Sequence, residues 1–421
     1  MKHLYIFLFT LFVSLAATAE PIFQYSITVD GLNREYSLIL PPGFVESEKY
    51  PLLIFLHPNG SEVEGFIDTF KLEEVAKNTN SIVVVPQAWD EQNTDIIGLF
   101  SQLNTYDISY PGMSLKHVWG AGASISTDVI TSKLAAINPL LVALFPSVYP
   151  DIAASGKIVF NQNVDDVNFI NKMIEQIEDS YVIDTDKVFM LGASMGGAMT
   201  YKYAYSNESK IKGAVVISGF IGNEVKPTNM ALNIPLFVIH SESDSVVDYN
   251  GGMLSASIPS IVESIAKAQG CEDAAVTDIP NVADDGFLIK STSYDCDSTK
   301  RVLFYSIDKS THADFLVSNY ETGPNDIDYY IESYNFLFGK RINNNVEEIV
   351  PNKDFIYPNP TIDHLYVCQS GEYKFFSLDG SMIKQGNVEN GVISVGDLNT
   401  GLYIFVLENE DGRFLTKISK Q

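Results

Sequence analysis

Gly192-Ala193-Ser194-Met195-Gly196 stands between an apolar run, Val188-Phe189-Met190-Leu191, and a stretch of small and aromatic residues from 197 to 205. The run reads as a buried parallel strand and the stretch after it as a helix. A serine with glycine two positions to either side, set at a strand-to-helix junction, occupies a sharp turn that holds its hydroxyl out at the strand's C-terminal end. The flanking glycines keep Cβ atoms away where strand and helix nearly touch. The N–H of Met195 and the start of the helix then face any negative charge that develops near the serine oxygen. A turn of this kind directs the chain to the α/β class, with a mostly parallel central sheet covered by helices on both faces. It also makes Ser194 a candidate nucleophile.

An alcohol is a weak nucleophile near neutral pH, so Ser194 needs an imidazole base and a carboxylate that orients it. In chains with this turn the order is serine, then acid, then histidine. The chain has six histidines. His240 closes the apolar run 234–239 but precedes every plausible acid, and His364 lies in a separate C-terminal segment. His312, in a polar stretch after the strand-like run 301–307, is therefore the candidate base. The acid is expected on the loop leaving 236–240, where Asp244 fits and Glu242 and Asp248 compete.

A second strand-like run, Tyr50-Pro51-Leu52-Leu53-Ile54-Phe55-Leu56, ends in His57-Pro58-Asn59-Gly60. A glycine-containing turn in this place supplies a second N–H to an oxyanion. Pro58 has no N–H, which leaves Asn59 or Gly60, and Asn59 is taken with Met195 as the candidate pair. His57 reads as a residue that shapes the turn.

Acidic residues outnumber basic ones by 53 to 27, a net charge of −26 that argues against a nucleic-acid partner. No C-x-x-C or His/Cys cluster suggests a metal site, and nucleophilic chemistry by a serine, a histidine and an acid needs no cofactor. Lys2, the apolar run 4–15 and Ala17-Thr18-Ala19 before Glu20 read as a signal peptide over 1–19, too short to span a bilayer. The expected destination is outside the cell or on its surface, with no transmembrane segment in the mature chain.

Residues from about 25 to 340 resemble the secreted polyhydroxybutyrate depolymerase and feruloyl esterase group of α/β-hydrolases. Several motifs carry the resemblance in order: 36–43, 56–60, 164–170, Ile183-Asp184-Thr185-Asp186-Lys187-Val188-Phe189 running into the Ser194 turn, and Val246-Val247-Asp248-Tyr249-Asn250-Gly251-Gly252. The last of these favours Asp244 over Asp248. The family's Gly-Gly-His-Thr-Trp turn is here Ser310-Thr311-His312-Ala313-Asp314, so a tryptophan that often lines the pocket is missing. The resemblance implies a serine carboxylesterase. Its substrates would be feruloyl or acetyl esters on polysaccharide, or poly(hydroxyalkanoate)-type polyester. It also implies a disulfide between Cys271 and Cys296, with Cys368 left over. On residues alone two rivals stay open: a non-catalytic surface binding protein on the same scaffold, and a prolyl-peptidase-like serine peptidase.

The catalytic domain is thus expected over 20–340, with a linker over 341–352. Short alternating runs with glycine turns over 353–421 read as a small β-sandwich. Its Tyr357-Pro358-Asn359-Pro360 start and Gly401-Leu402-Tyr403 run resemble the C-terminal sorting domain of type IX secretion substrates. That resemblance makes the type IX secretion machinery the expected partner; a carbohydrate-binding module is the competing reading. Compared with compact family members, an apolar insertion occupies about 123–163. Pro139 and Pro146 are expected to break its greasiest part into pieces too brief for a core helix. It is read as a lid or pocket wall, or else as a surface excursion.

Overall fold

The computed structural model describes residues 22–105, 114–339 and 356–420, apart from 273, 282, 284, 295, 298, 313, 315–323, 358–360, 368–369, 378–381, 389–390 and 410–411. The expected signal peptide, the linker over 341–352 and Cys368 lie outside the described residues. The chain divides into two units between Lys340 and Arg341.

The first unit begins with an antiparallel hairpin of β1 (Ile22–Val29) and β2 (Leu32–Ile39). β3 (Tyr50–Leu56), α1 (Val63–Thr69), α2 (Leu72–Thr79), β4 (Ile82–Pro86) and α3 (Thr94–Thr105) follow. A short antiparallel pair, β5 (Ser124–Ser126) with β6 (Lys157–Val159), brackets α4 (Thr127–Ile137), α5 (Pro139–Val148) and α6 (Pro150–Ser155). Next come α7 (Asp166–Ser180), β7 (Ile183–Ala193), α8 (Met195–Ala204), β8 (Gly213–Ile217), β9 (Leu236–Ser241) and α9 (Ile258–Ala268). β10 (Ala274–Ile279), β11 (Ile289–Tyr294), β12 (Val302–Ile307) and α10 (Tyr329–Phe338) complete the unit.

Ten of these strands form one sheet in the order β1-β2-β4-β3-β7-β8-β9-β12-β11-β10. From β4 through β12 every neighbouring pair is parallel. The middle strands are continuous apolar runs, and β4, β8 and β9 are buried along their whole length, as strands covered on both faces must be. On one face Phe55, Phe189 and Phe237 meet Tyr334, Phe338 and Phe336 of α10. The alternate positions Val188, Met190, Val216 and Val238 join a second cluster with Phe169 and Met173 of α7, Met199 of α8 and Ile261 of α9. Strand order, parallel core and helices on both faces make this an α/β-hydrolase fold.

A buried ion pair locks the first hairpin to the crossover before β7. Arg34 donates to Asp166 at 2.7 Å, and the other Asp166 oxygen accepts from Gly120 N–H at 2.6 Å. The guanidinium also lies 3.9 Å from the centroid of the Phe169 ring. Both charges are shielded from water, and each has a hydrogen-bonding partner that offsets its desolvation.

Two features differ from what the residues suggest. A strand that the residues do not single out, β8, lies between β7 and the run 234–239 and pairs with both β7 and β9. Pro146 does not break its segment: it lies inside the ten-residue α5. Both ends of that helix are held, since Asn138 caps Leu140 N–H at 2.9 Å and Tyr149 N–H donates to Phe145 O at 2.9 Å. Pro139 and Pro150 each start a helix, where the missing N–H costs nothing. Phe145 faces the core, while Leu140, Leu144 and Val148 are exposed.

Between α9 and β12 the chain extends the sheet by the antiparallel β10–β11 hairpin. Cys271 and Cys296 form a disulfide across its open end.

The second unit holds β13 (Ile356–Tyr357), β14 (His364–Val367), β15 (Gly371–Ser377), β16 (Met382–Val388), β17 (Gly391–Ser394), β18 (Gly401–Asn409) and β19 (Gly412–Lys420). They make two sheets, β13-β14-β17 and β16-β15-β18-β19. Leu365, Val367 and Ile393 of one sheet share a core with Phe375, Phe405, Leu407 and Ile418 of the other, which makes a small all-β sandwich.

Candidate active site

Parallel strands of an open α/β sheet present their C-terminal ends to one crevice. β7 ends there at Ala193, and Ser194 turns the chain into α8 with φ 54° and ψ −117°, a backbone conformation that side chains other than glycine's seldom adopt. The turn is tight enough to require its glycines. A Cβ on Gly192 would lie 2.2 Å from Gly196 O, and one on Gly196 would lie 2.1 Å from Leu56 O. Ser194 N–H donates to Ile217 O at 2.9 Å, so β8, the strand that the apolar pattern leaves out, fixes the turn from the side.

β9 carries the acid and β12 the base. His312 lies beyond β12 with Nε2 2.9 Å from Ser194 Oγ and Nδ1 2.6 Å from Asp244 Oδ2. A carboxylate only accepts, so the Nδ1 proton points at Asp244 and Nε2 is left to accept from the serine hydroxyl. The other oxygen, Asp244 Oδ1, accepts from Val246 N–H and Val247 N–H, each at 2.8 Å. Burial opposes ionisation of Asp244. The hydrogen bond and charge of His312, the Val247 N–H and nearby His240 outweigh it and hold the carboxyl below its usual range. The competing acids are occupied elsewhere: Glu242 accepts from Ser306 Oγ at 2.9 Å, and Asp248 accepts from Asn250 N–H at 2.8 Å.

Met195 is the first residue of α8, where an N–H has no carbonyl one turn back. In the turn after β3, Gly60 N–H donates to His117 O at 3.3 Å. Asn59 is tied by its side chain, which accepts from Ser114 N–H at 2.5 Å and donates to Ser114 O at 3.1 Å. Among the described residues the main-chain N–H of Asn59 meets no acceptor. His57 is buried and does shape this turn: Nδ1 donates to Pro58 O at 2.7 Å, and Nε2 accepts from Ala88 N–H at 3.1 Å. Desolvation pushes its pKa down to about 4.

One residue at this site escaped the sequence reading. His240, set aside because it precedes the acid in the chain, lies buried with Nε2 3.5 Å from Asp244 Oδ2. Its only sequence signal is a polar residue at the end of an otherwise apolar strand. A cavity of about 540 Å³ has Lys157, Lys202, Glu224 and Lys226 in its lining, and Ser194, Asp244 and His312 are not part of that lining.

Residues 155–269 match the Phospholipase/Carboxylesterase family model, and residues 355–421 match the secretion system C-terminal sorting domain. The first match includes Ser194 and Asp244 but ends before His312. A probable feruloyl esterase C from Aspergillus niger is 28% identical over 148 residues, 35% of this chain and 50% of that protein. Feruloyl esterase D from Neurospora crassa is 26% identical over 191 residues, 45% of this chain and 47% of its own length. A bifunctional acetylxylan esterase/xylanase from Neocallimastix patriciarum is 30% identical over 105 residues, 25% of this chain and 15% of its own. The chain thus spans about half the length, or less, of these curated relatives.

Proposed function

We propose that this α/β-hydrolase is an exported serine carboxylesterase, with Ser194 as nucleophile, His312 as general base and Asp244 as the residue that orients the imidazole. The single observation that carries the reading is the unbroken chain of contacts from Ser194 Oγ through His312 to Asp244, at 2.9 and 2.6 Å. His312 takes the serine proton as Oγ attacks an ester carbonyl, and Asp244 stabilises the imidazolium that forms. The N–H groups of Met195 and Asn59 stabilise the oxyanion. The imidazolium then protonates the leaving alkoxide, and water activated by His312 cleaves the acyl-enzyme.

The relatives support feruloyl or acetyl esters on polysaccharide as the substrate class, and short hydroxyalkanoate polyester, which the motif resemblance alone implies, is the second candidate. The β-sandwich over 353–421 acts as a type IX secretion address, so the chain works outside the cell or on its surface. The test is hydrolysis of p-nitrophenyl acetate, p-nitrophenyl butyrate and methyl ferulate by the full chain beside Ser194→Ala. Turnover abolished by the substitution supports the reading, and the ratio of ferulate to butyrate hydrolysis ranks the substrates. A folded wild-type chain that turns over none of the three overturns it, and equal turnover of peptide anilides would make it a peptidase.

A further inference from the structure

Val247 is held from both sides. Its N–H donates to Asp244 Oδ1 at 2.8 Å, and its carbonyl lies 2.8 Å from His240 Nε2. A carbonyl only accepts, so the His240 proton is on Nε2 and Nδ1 is bare. Nδ1 is buried without a hydrogen-bond partner, which marks a ring kept in place for its other nitrogen. The same Nε2 is 3.5 Å from Asp244 Oδ2, the oxygen that receives His312. We infer that His240 is a positioning residue: it clamps the 244–247 turn onto β9 through the Val247 carbonyl and thereby fixes the direction in which Asp244 presents Oδ2 to His312.

The groups facing the ring are Asp244, Asp248, His312 and Tyr249, the last with its ring centroid 6.3 Å away. Burial lowers the His240 pKa despite the opposing pull of both carboxylates. A neutral ring donates to Val247 without competing, as a cation would, for the carboxylate that His312 uses.

The inference rests on the proposed triad, and its test separates the two. In the full chain His240→Gln keeps an N–H donor at the place of Nε2, whereas His240→Asn puts it at the place of Nδ1 and His240→Leu removes it. On p-nitrophenyl butyrate, His240→Leu and His240→Asn are expected to lower kcat about tenfold with KM nearly unchanged, and His240→Gln to restore most of it. The low-field proton resonance of the short His312–Asp244 hydrogen bond should weaken in the first two variants and persist in the third. That resonance needs no substrate, so it reports on His240 even if the chain proves inactive on esters. Folded Leu or Asn variants that keep both kcat and the resonance would overturn the inference, as would a Gln variant as impaired as Leu. If Leu fails to fold, the Gln and Asn pair decides alone.

Discussion

The indole N–H of Trp119 donates to the main-chain carbonyl of His57 at 2.9 Å, and the two rings pack with centroids 5.1 Å apart. His57 in turn accepts from Ala88 N–H, so three separate segments meet beneath the Asn59 turn. Trp119→Phe keeps an aromatic ring at this buried place, but it leaves the His57 carbonyl unpaired and part of the indole's volume unfilled. It is expected to cost about 1–2 kcal/mol of stability by urea denaturation. If the Asn59 N–H serves the oxyanion as proposed, loosening this turn should lower kcat on p-nitrophenyl butyrate about tenfold with KM little changed, as for a group that acts only in the transition state. Unchanged kcat in a destabilised variant would separate the turn from the chemistry.

Ser194 sits at φ 54°, a conformation that glycine adopts without strain. Ser194→Gly is therefore expected to abolish turnover and yet raise stability by about 1 kcal/mol, whereas Ser194→Ala abolishes turnover without that gain. Thermal melting of the two variants beside the wild type checks it. A glycine variant less stable than the alanine variant would mean that the strain is stored elsewhere.

Acid should weaken the fold in two separable windows. His57 is pushed down from 6.5 to about 4 by burial, so between these values the unfolded chain binds a proton that the folded chain refuses. Stability then falls as pH drops from 6.5 towards 4, by about 3 kcal/mol from this one residue when the window is crossed. His240, also lowered by burial, adds a loss of the same sign. Asp244 acts differently: its carboxyl is held below 3.8, so its contribution is intact above that value and disappears only as pH falls further. Urea midpoints measured from pH 7 to 4 should show the first window, and His57→Gln, less stable at pH 7, should show a flatter slope through it. An equal slope in the variant would assign the loss to other groups.

Reducing the Cys271–Cys296 bond, or replacing both residues by serine, removes a link across a sequence separation of 25. The chain-entropy cost is about 3 kcal/mol. The linked hairpin forms the far edge of the sheet, and its tied end lies beside the start of β12, where Tyr294 pairs with Val302, at the opposite end of that strand from His312, so kcat below the new melting temperature should be unaffected. Melting with and without reductant, together with ester turnover at 25 °C, tests both halves.

The serine turn was legible because it is local: glycine spacing, an apolar run and a helix all fall within 188–205. Asp244 and His312 could be ranked by chain order, yet only the pairing of β9 with β12 distinguishes Asp244 from Glu242 at two residues' remove. β8 escaped because its five apolar residues follow the charged stretch around Lys210 and Lys212 and carry no periodicity of their own. His240 escaped for a different reason. A histidine at a strand end has no pattern, and its relation to Asp244 exists only after the 244–247 turn has closed. Pro146 misled because α5 runs two residues past it, with Tyr149 N–H still closing on Phe145 O.

His312 stands 118 residues after Ser194 and 68 after Asp244 in the chain, and it reaches both only when β12 lies beside β9. During synthesis or export the serine turn can therefore form long before anything can use it. On the proposed mechanism a chain that stops short of β12 and His312 cannot cleave an ester, so the onset of turnover would mark the moment at which the last parallel strand joins the sheet.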